Sequence, residues 1–271
     1  MPILIGKRLK LLFKISPNKA LRKAFILFCT PRKGAVLPDQ VDFLDAAEDE
    51  IVTVNDIFLQ TYRWQGTEDT ILLVHGWESN THRWKKLIQT LQKEKYTIIA
   101  FDAPAHGYSS GTILNVPLYA ECLKKIVDLY RPNHIIGHSV GGMCTAFYQY
   151  TYQNPEVDKL ILLAPPSELT LIMKGYQRTL RLPDRFMEAL DDYFKNRFGY
   201  KFKEFSIAQF SKKIQNKGLL IHDKFDDIAP YSAAIAINEN WQNGTLITTE
   251  NYGHSLFNDT IDEHIVNFIN S

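Results

Sequence analysis

The chain has 271 residues, 45% of them hydrophobic and 23% charged, and its formal net charge at pH 7 is +1. This composition is that of an ordinary soluble globular protein, and it excludes fibrous, low-complexity and disordered classes. The three cysteines, Cys29, Cys122 and Cys144, are an odd number at unrelated spacings. They argue against a disulfide framework or a zinc site and predict a reducing compartment, the cytoplasm.

The positive charge is concentrated at the start of the chain, in a segment that we call the leader (residues 1–38). The leader contains nine Lys or Arg and no acid, whereas the remainder carries 22 basic and 30 acidic residues. Basic residues interrupt its apolar runs, so none reaches the roughly 18 residues of a membrane-spanning helix. It also lacks the small-residue cleavage site of a secretory signal.

Two interpretations of the leader remain open. A basic amphipathic segment can make a peripheral contact with an anionic membrane surface, which here would be the inner face. Alternatively, a helix pair packs its apolar side on the protein and exposes its lysines. We expect packing, in which case the core-facing side chains are Leu11, Leu12, Phe13, Phe25, Ile26 and Phe28.

The following elements alternate between β-type and helix-type patterns. A short helix is expected around residues 43–48, and the β-rich halves of EIVTVNDIFLQTYRW flank Asn55 and Asp56, as in a hairpin. Further strands are expected at 71–76, 96–102, 134–139, 157–165, 218–223 and 244–250. Helices are expected at 83–93 and 118–130 and from residues 140, 231 and 260.

Near-continuous apolar strands that alternate with helices predict an α/β fold with a parallel sheet covered on both faces. Residues 166–213 break this alternation, because they are rich in helix formers and aromatic residues, and we interpret them as an insertion between two strands. The predicted organisation is a basic helical segment at 1–49 followed by an α/β domain at 50–271. Ligand sites in such sheets lie outside the carboxyl ends of the strands.

A serine stands at one of these strand ends. Gly137-His138-Ser139-Val140-Gly141 follows a β-type run and opens a helix-type run. This is the context of a nucleophile elbow, where a sharp turn lifts the serine hydroxyl above the sheet and flanking glycines permit close backbone packing. The alternative is a tight turn whose glycines serve helix packing alone.

A serine nucleophile needs a base and a group that orients the base. His254 is the candidate base, because it lies late in the chain on the loop after the last strand. His75, His106 and His138 are expected to hold loops by hydrogen bonds. The acid is expected to be Asp226, three residues into its loop, with Asp223, Asp227 and Glu168 left as alternatives.

The tetrahedral intermediate of acyl transfer also requires backbone N–H groups that face its oxyanion. Val140 follows the nucleophile and supplies one candidate amide. Trp77, after the first parallel strand in LLVHGWESN, supplies the other. An ordinary strand-terminating turn at His75-Gly76 is the alternative.

These motifs resemble the α/β-hydrolase fold family over roughly residues 50–271. The resemblance rests on LLVHGW, FDAPAHGYSSG, IGHSVGG, the loop ending in Ala229-Pro230, and YGH. It implies an eight-stranded sheet with a first antiparallel pair, a helical lid at 166–213, and a Ser139, Asp226, His254 triad with the Trp77 and Val140 amides. The chain departs from the usual pattern at Asp223, where that loop often has glycine.

The sequence therefore predicts a serine hydrolase that acts on a small-molecule carboxylic ester, an esterase or lipase-like enzyme. Thioesterase, lysophospholipase, peptidase and C–C hydrolase chemistry are alternatives on the same triad, and a non-catalytic ligand-binding protein is the alternative of another class. No nucleotide-binding fingerprint or metal-ligand cluster occurs in the sequence, so we expect no cofactor, no metal and no nucleic-acid partner.

Overall fold

In the computed structural model, which describes residues 2–271, the chain forms eight β-strands and eleven α-helices. The strands are β1 (Glu48–Val54), β2 (Ile57–Trp64), β3 (Glu68–Val74), β4 (Tyr96–Phe101), β5 (His134–His138), β6 (Lys159–Leu163), β7 (Lys217–Asp223) and β8 (Gly244–Thr249). The helices are α1 (Pro2–Ile15), α2 (Pro17–Cys29), α3 (Val41–Asp45), α4 (Lys85–Lys93), α5 (Val116–Tyr130), α6 (Val140–Tyr152), α7 (Leu169–Leu180), α8 (Asp184–Phe198), α9 (Ile207–Ser211), α10 (Tyr231–Asn240) and α11 (Asp259–Ile269).

The strands form one sheet in the order β1-β2-β4-β3-β5-β6-β7-β8. β1 and β2 make the expected antiparallel hairpin, and β2 also pairs antiparallel with β4. The remaining pairings, from β4 through β8, are parallel. The predicted α/β-hydrolase architecture, with its mostly parallel eight-stranded sheet and first antiparallel pair, is confirmed.

The central strands are buried along their whole length, which explains their near-continuous apolar sequences. Every residue of β4, β5 and β6 is buried, as expected for parallel strands covered by helices on both faces. The predicted elements agree with the observed ones to within a few residues. The largest shifts are of three residues. The short helix expected at 43–48 spans Val41–Asp45 because β1 already begins at Glu48, and the strand expected at 71–76 begins at Glu68.

The chain divides into two compact units. The sheet unit consists of Pro31–Ser167 and Ile207–Ser271, and the helical unit consists of the residues through Thr30 together with Glu168–Ser206. The predicted boundary at residue 49 falls on the second residue of β1. The insertion lies between β6 and β7, which are neighbours in the sheet, and its role as a lid stays a prediction.

Within the helical unit, the leader helices pack on the insertion. Leu9, Leu21 and Phe25 are buried, and the Phe25 ring lies 5.4 Å from that of Phe194. The helices α1 and α7 approach so closely that a Cβ atom at Gly6 would lie 1.8 Å from the carbonyl oxygen of Leu180. Burying a large apolar side chain contributes about 1.5–3 kcal/mol, so the leader stabilises this unit substantially.

Two of the leader side chains that were expected to face the core do not. Leu11 is 62% exposed and Ile26 is 39% exposed, because each lies on the side of its helix that faces solvent. Phe25 is buried as expected, while Leu12, Phe13 and Phe28 are half-buried. The insertion aromatics pack on the leader as well, since Phe186 lies 4.8 Å from Phe13 and Tyr176 lies 5.3 Å from Phe28, between ring centroids.

Candidate active site

Ser139 occupies a strained turn between β5 and α6. Its φ is +54° and its ψ is −123°, a conformation that costs a non-glycine residue on the order of 1–3 kcal/mol. The turn is held by the Ser139 amide, which donates to the Leu163 carbonyl on the neighbouring strand at 2.8 Å. The surrounding fold therefore fixes the serine in a geometry that it would not adopt by itself.

The flanking glycines are required by space. A Cβ atom at Gly137 would lie 2.6 Å from the Gly141 carbonyl oxygen, and one at Gly141 would lie 2.1 Å from the Val74 carbonyl oxygen. Real Cβ atoms do not approach backbone so closely. The helix can follow the strand this tightly only because both positions lack a side chain.

His254 bridges Ser139 and Asp226. Its Nε2 atom lies 2.9 Å from Ser139 Oγ, and its Nδ1 atom lies 2.8 Å from Asp226 Oδ2. An ionised carboxylate only accepts hydrogen bonds, so Nδ1 carries the proton and Nε2 is left to accept from the serine hydroxyl. This tautomer is the one in which a histidine can remove the proton of a serine.

Asp226 is buried, and its two oxygens have separate partners. Oδ1 accepts from the Ile228 and Ala229 amides, each at 2.8 Å, while Oδ2 accepts from His254. Burial disfavours the charged carboxylate, but the hydrogen bonds from His254 and the two amides outweigh burial and lower the pKa of Asp226 below its ordinary value. The carboxylate is therefore ionised at neutral pH.

Asp223, the alternative acid, serves a different contact. Its Oδ2 accepts from Thr249 Oγ1 at 2.9 Å and from the Tyr252 amide at 2.8 Å, and its Oδ1 accepts from the Phe225 amide at 2.9 Å. These bonds offset the cost of burial and lower its pKa. Asp223 thus ties β7 to the loop that carries His254, and among residues 2–271 none of its hydrogen bonds reaches the imidazole itself. Another alternative, Glu168, accepts from Ser206 Oγ at 2.6 Å.

The loop after β3 lies directly against the serine. A Cβ atom at Gly76 would come within 2.9 Å of Ser139 Cβ. Among residues 2–271, no partner accepts a hydrogen bond from the Trp77 amide or the Val140 amide. Both N–H groups therefore remain candidates for the oxyanion contact that the sequence predicts.

His75 orients the Trp77 amide. Its Nε2 accepts from the Ala103 amide at 2.9 Å, so its Nδ1 is the donor to the Gly76 carbonyl oxygen at 2.8 Å. The peptide is trans, and in a trans peptide the C=O of one residue and the N–H of the next point in opposite directions. By holding the Gly76 carbonyl, His75 fixes the direction of the Trp77 N–H. Burial lowers the pKa of His75 to about 3, which keeps this ring neutral.

Two further histidines border the candidate triad. His138 donates from Nε2 to the His254 carbonyl oxygen at 2.9 Å, and burial, with the nearby Arg83 cation, holds its pKa well below the ordinary range. His222 donates from Nε2 to the Ala229 carbonyl oxygen at 2.8 Å, and the same nitrogen lies 3.4 Å from Asp226 Oδ2. His222 was not among the residues that the sequence singled out. In the sequence, the spacing of four residues between His222 and Asp226 was the one available signal of this contact.

The other sequence-predicted groups lie outside this network. His106 links two loops as expected, since it accepts from the Glu78 amide at 3.0 Å and faces the Pro104 carbonyl oxygen at 2.9 Å. The contacts of Asp227 do not include His254 among the described residues. Within the part of the chain that the structure describes, no group of three His, Cys, Asp or Glu side chains could hold a metal ion.

Comparison with known proteins places this chain in a family. A sequence profile of the alpha/beta hydrolase fold matches residues 69–215, more than half of the chain. The chain belongs to the alpha/beta hydrolase fold family.

The similar proteins agree with this membership. The chain is 36% identical over 103 residues to a human serine hydrolase-like protein, covering 35% of this chain and 49% of that protein. It is 27% identical over 186 residues to YqkD of Bacillus subtilis, covering 64% of this chain and 60% of YqkD. The chain thus spans less than two thirds of the length of either relative.

Solved structures show the same fold. An esterase from Exiguobacterium antarcticum has a TM-score of 0.66 at 17% identity, covering 83% of this chain and all of that one. A bromoperoxidase from Bacillus anthracis has a TM-score of 0.68 at 18% identity, with 83% of this chain and 100% of that one covered. At such low identity the likeness concerns the fold alone.

Proposed function

We propose that this protein is a serine hydrolase that cleaves carboxylic esters of small molecules through an acyl-enzyme intermediate. The observation that carries the proposal is the pair of hydrogen bonds made by His254, to Ser139 Oγ at 2.9 Å and to Asp226 Oδ2 at 2.8 Å. The 36% identity to a human serine hydrolase-like protein supports it.

In the proposed first half-reaction, Ser139 Oγ attacks the acyl carbon while His254 Nε2 removes the hydroxyl proton. Asp226 stabilises the resulting imidazolium. The oxyanion of the tetrahedral intermediate accepts hydrogen bonds from the Trp77 and Val140 amides. His254 then donates its proton to the leaving alcohol, the C–O bond of the ester breaks, and the acyl group remains on Ser139.

The second half-reaction repeats these roles with water as the nucleophile. His254 removes a proton from water, hydroxide attacks the acyl carbon, and the collapse of the second tetrahedral intermediate returns the proton to Ser139 Oγ. The products are a carboxylic acid and the regenerated enzyme. In both half-reactions, groups of the chain itself move the protons and stabilise the charges.

We further propose that the protein works in a reducing compartment, the cytoplasm. Cys29, Cys122 and Cys144 are all buried as free thiols, and burial raises the pKa of Cys29 and Cys122 to about 12. Such thiols are poorly reactive, and they form no disulfide that an oxidising compartment would favour.

Labelling with a fluorophosphonate probe tests the proposed function. The purified protein should form a covalent adduct at Ser139 and hydrolyse a series of p-nitrophenyl esters, and the dependence on acyl-chain length would define the substrate class. A matched variant, Ser109→Ala, removes another hydroxyl of the sheet unit and should label normally. A protein that binds esters but neither labels nor turns them over would be the non-catalytic binding protein.

A further inference from the structure

The first helix has two faces of different character. On a helix with 3.6 residues per turn, the side chains on one half of α1 are Pro2, Ile5, Gly6, Leu9, Leu12 and Phe13. Gly6 and Leu9 of this set are buried and the others are half-buried. This is the face that packs within the helical unit.

The opposite face of α1, which we call the outer face, combines aliphatic and basic side chains. Its residues cover an arc of about 140° around the helix axis when successive residues are placed 100° apart. Its aliphatic members are 43%, 54%, 62% and 75% exposed: Ile3, Leu4, Leu11 and Ile15. Its basic members, all exposed, are Lys7, Arg8 and Lys14.

The outer face differs from that of an ordinary packed helix. Helix α8 of the same unit exposes only polar side chains of both signs: Asp184, Arg185, Glu188, Asp192, Lys195, Asn196 and Arg197. That is the usual pattern, since the solvent side of an amphipathic helix is polar. Four exposed aliphatic side chains on a single helix face need another explanation, because scattered single ones are the norm.

The charge of this region selects the chemistry of the partner. Residues 2–30 contain seven basic residues and no acidic one, and Lys19, Arg22 and Lys23 on α2 are exposed as well. A helix that presents aliphatic side chains among cations, without any acid, suits the surface of an anionic bilayer. There the aliphatic groups enter the acyl boundary while the basic groups contact lipid headgroups.

We propose that the outer face of α1 binds the protein to the surface of an anionic lipid bilayer, with the helix lying in the plane of that surface. The two interpretations of the leader are then compatible, because packing and lipid binding use opposite faces of one helix. The contact is peripheral. Across residues 2–271, no helix has the length and apolarity needed to cross a membrane. This inference concerns binding and is independent of the proposed esterase activity.

Vesicle flotation with the full chain tests the proposal. At low salt the protein should float with phosphatidylcholine vesicles that contain phosphatidylserine and should stay in solution with phosphatidylcholine alone. Raising the salt should release it, because exposed charges are screened beyond about 10 Å at 0.1 M. Equal binding to both vesicle types, or no binding to the anionic ones at low salt, would overturn the proposal.

Two double variants separate the contribution of the basic side chains to vesicle binding from that of the aliphatic side chains. Each basic residue near an anionic surface is worth about fivefold in binding, so Lys7→Gln with Arg8→Gln should weaken it about 25-fold. Leu11→Gln with Ile15→Gln should weaken it by at least tenfold. Neither pair is buried, so the melting temperature and fluorophosphonate labelling should be unchanged.

Matched controls change equivalent groups elsewhere. Lys93→Gln with Lys125→Gln removes two exposed positive charges from the sheet unit, and Leu129→Gln replaces an aliphatic side chain that is 50% exposed. Both should float like the wild type. An equal loss of binding in the lysine pair would reduce the effect to net charge, an equal loss in Leu129→Gln would reduce it to general surface hydrophobicity, and either result would overturn the proposal. A lipid-free dimer that dissociates in the Leu11→Gln and Ile15→Gln variant would assign the face to a second copy instead.

Discussion

At the residue scale, His254 is the group on which the proposed chemistry depends, because each of its ring nitrogens is bound to a different candidate catalytic residue. Nδ1 donates to Asp226, and this fixes the tautomer of the ring. Because a neutral imidazole carries one N–H, Nε2 is then the acceptor for the Ser139 hydroxyl. Replacing Ser139 with Ala should leave the fold intact, abolish probe labelling, and reduce ester turnover by several orders of magnitude. Unchanged hydrolysis by the purified variant would end the esterase interpretation.

The acid can be assigned by comparing two neighbouring carboxylates. Asp226→Asn should lower kcat by up to about 10⁴-fold, because an amide cannot stabilise the imidazolium and favours the wrong tautomer. Asp223→Asn should lower kcat far less, because Asp223 reaches His254 only through the Tyr252 loop. Steady-state kinetics of both variants check this. The reverse order of losses would make Asp223 the acid and leave the mechanism otherwise standing.

His75 provides a test of oxyanion positioning. His75→Leu removes the donor that holds the Gly76 carbonyl, so the Trp77 amide loses its fixed direction. Loss of a whole oxyanion donor costs about 10²–10³-fold in kcat, and we expect a reduction of at least tenfold here with little change in KM. His75→Asn places an N–H donor near the original Nδ1 and should recover part of the rate. If both variants lost the same stability and had the same kcat as each other, His75 would have a merely structural role.

At the element scale, the loops after β7 and β8 position the base and its acid together. Asp223 is the last residue of β7, and its bonds to Thr249 and Tyr252 cross to β8 and to the start of the next loop. A single buried carboxylate therefore couples the register of two strands to the position of His254.

This coupling predicts a pH-dependent contribution to stability. The folded-state pKa of Asp223 is lowered, so its contribution is fully present above the unfolded pKa of about 3.9 and disappears as the pH falls through the folded value. Asp223→Asn should lower the free energy of unfolding by about 1.5–3 kcal/mol at pH 7, the usual worth of a charged hydrogen bond. Urea unfolding should show this difference shrinking below about pH 4.

The control for that experiment is Asp56→Asn, which changes an exposed carboxylate in the β1–β2 turn. Its difference from the wild type should be small at every pH, since exposed charges contribute little. If Asp223→Asn lowered the free energy of unfolding by the same amount at every pH, the aspartate would act through its shape and not through its charge.

At the scale of the whole molecule, the leader helices α1 and α2 belong to the same compact unit as Glu168–Ser206 of the insertion. A chain that starts near Asp39 would lose Leu9, Leu21 and Phe25 from that unit and leave the rings that they cover exposed. At about 1.5–3 kcal/mol for each large side chain, the loss is comparable with the 5–15 kcal/mol that stabilises a typical domain. We expect the truncated protein to be insoluble or to melt far below the full chain in a thermal scan. An unchanged melting temperature and unchanged turnover would show that the leader packs without stabilising anything.

Local features of the sequence determined most of the fold. Continuous apolar strands, hairpin residues at Asn55 and Asp56, and the change of pattern at residue 166 each depend on neighbours within a few positions, so they predicted the sheet, the antiparallel pair and the insertion. The glycines around Ser139 likewise identified the elbow, because the steric requirement for hydrogen is local.

Only the tertiary structure decided which distant groups meet. Asp223 and Asp226 have the same chemistry and lie three residues apart, and the end of β7 turns one toward Thr249 and the other toward His254. The role of His75 depended on a single peptide orientation, which no residue pattern encodes. Hydrophobic periodicity indicated that the leader buries one face, but the hydrophobic effect is non-directional. Only packing within the helical unit could therefore determine that Leu9 is covered while Leu11 is left facing solvent.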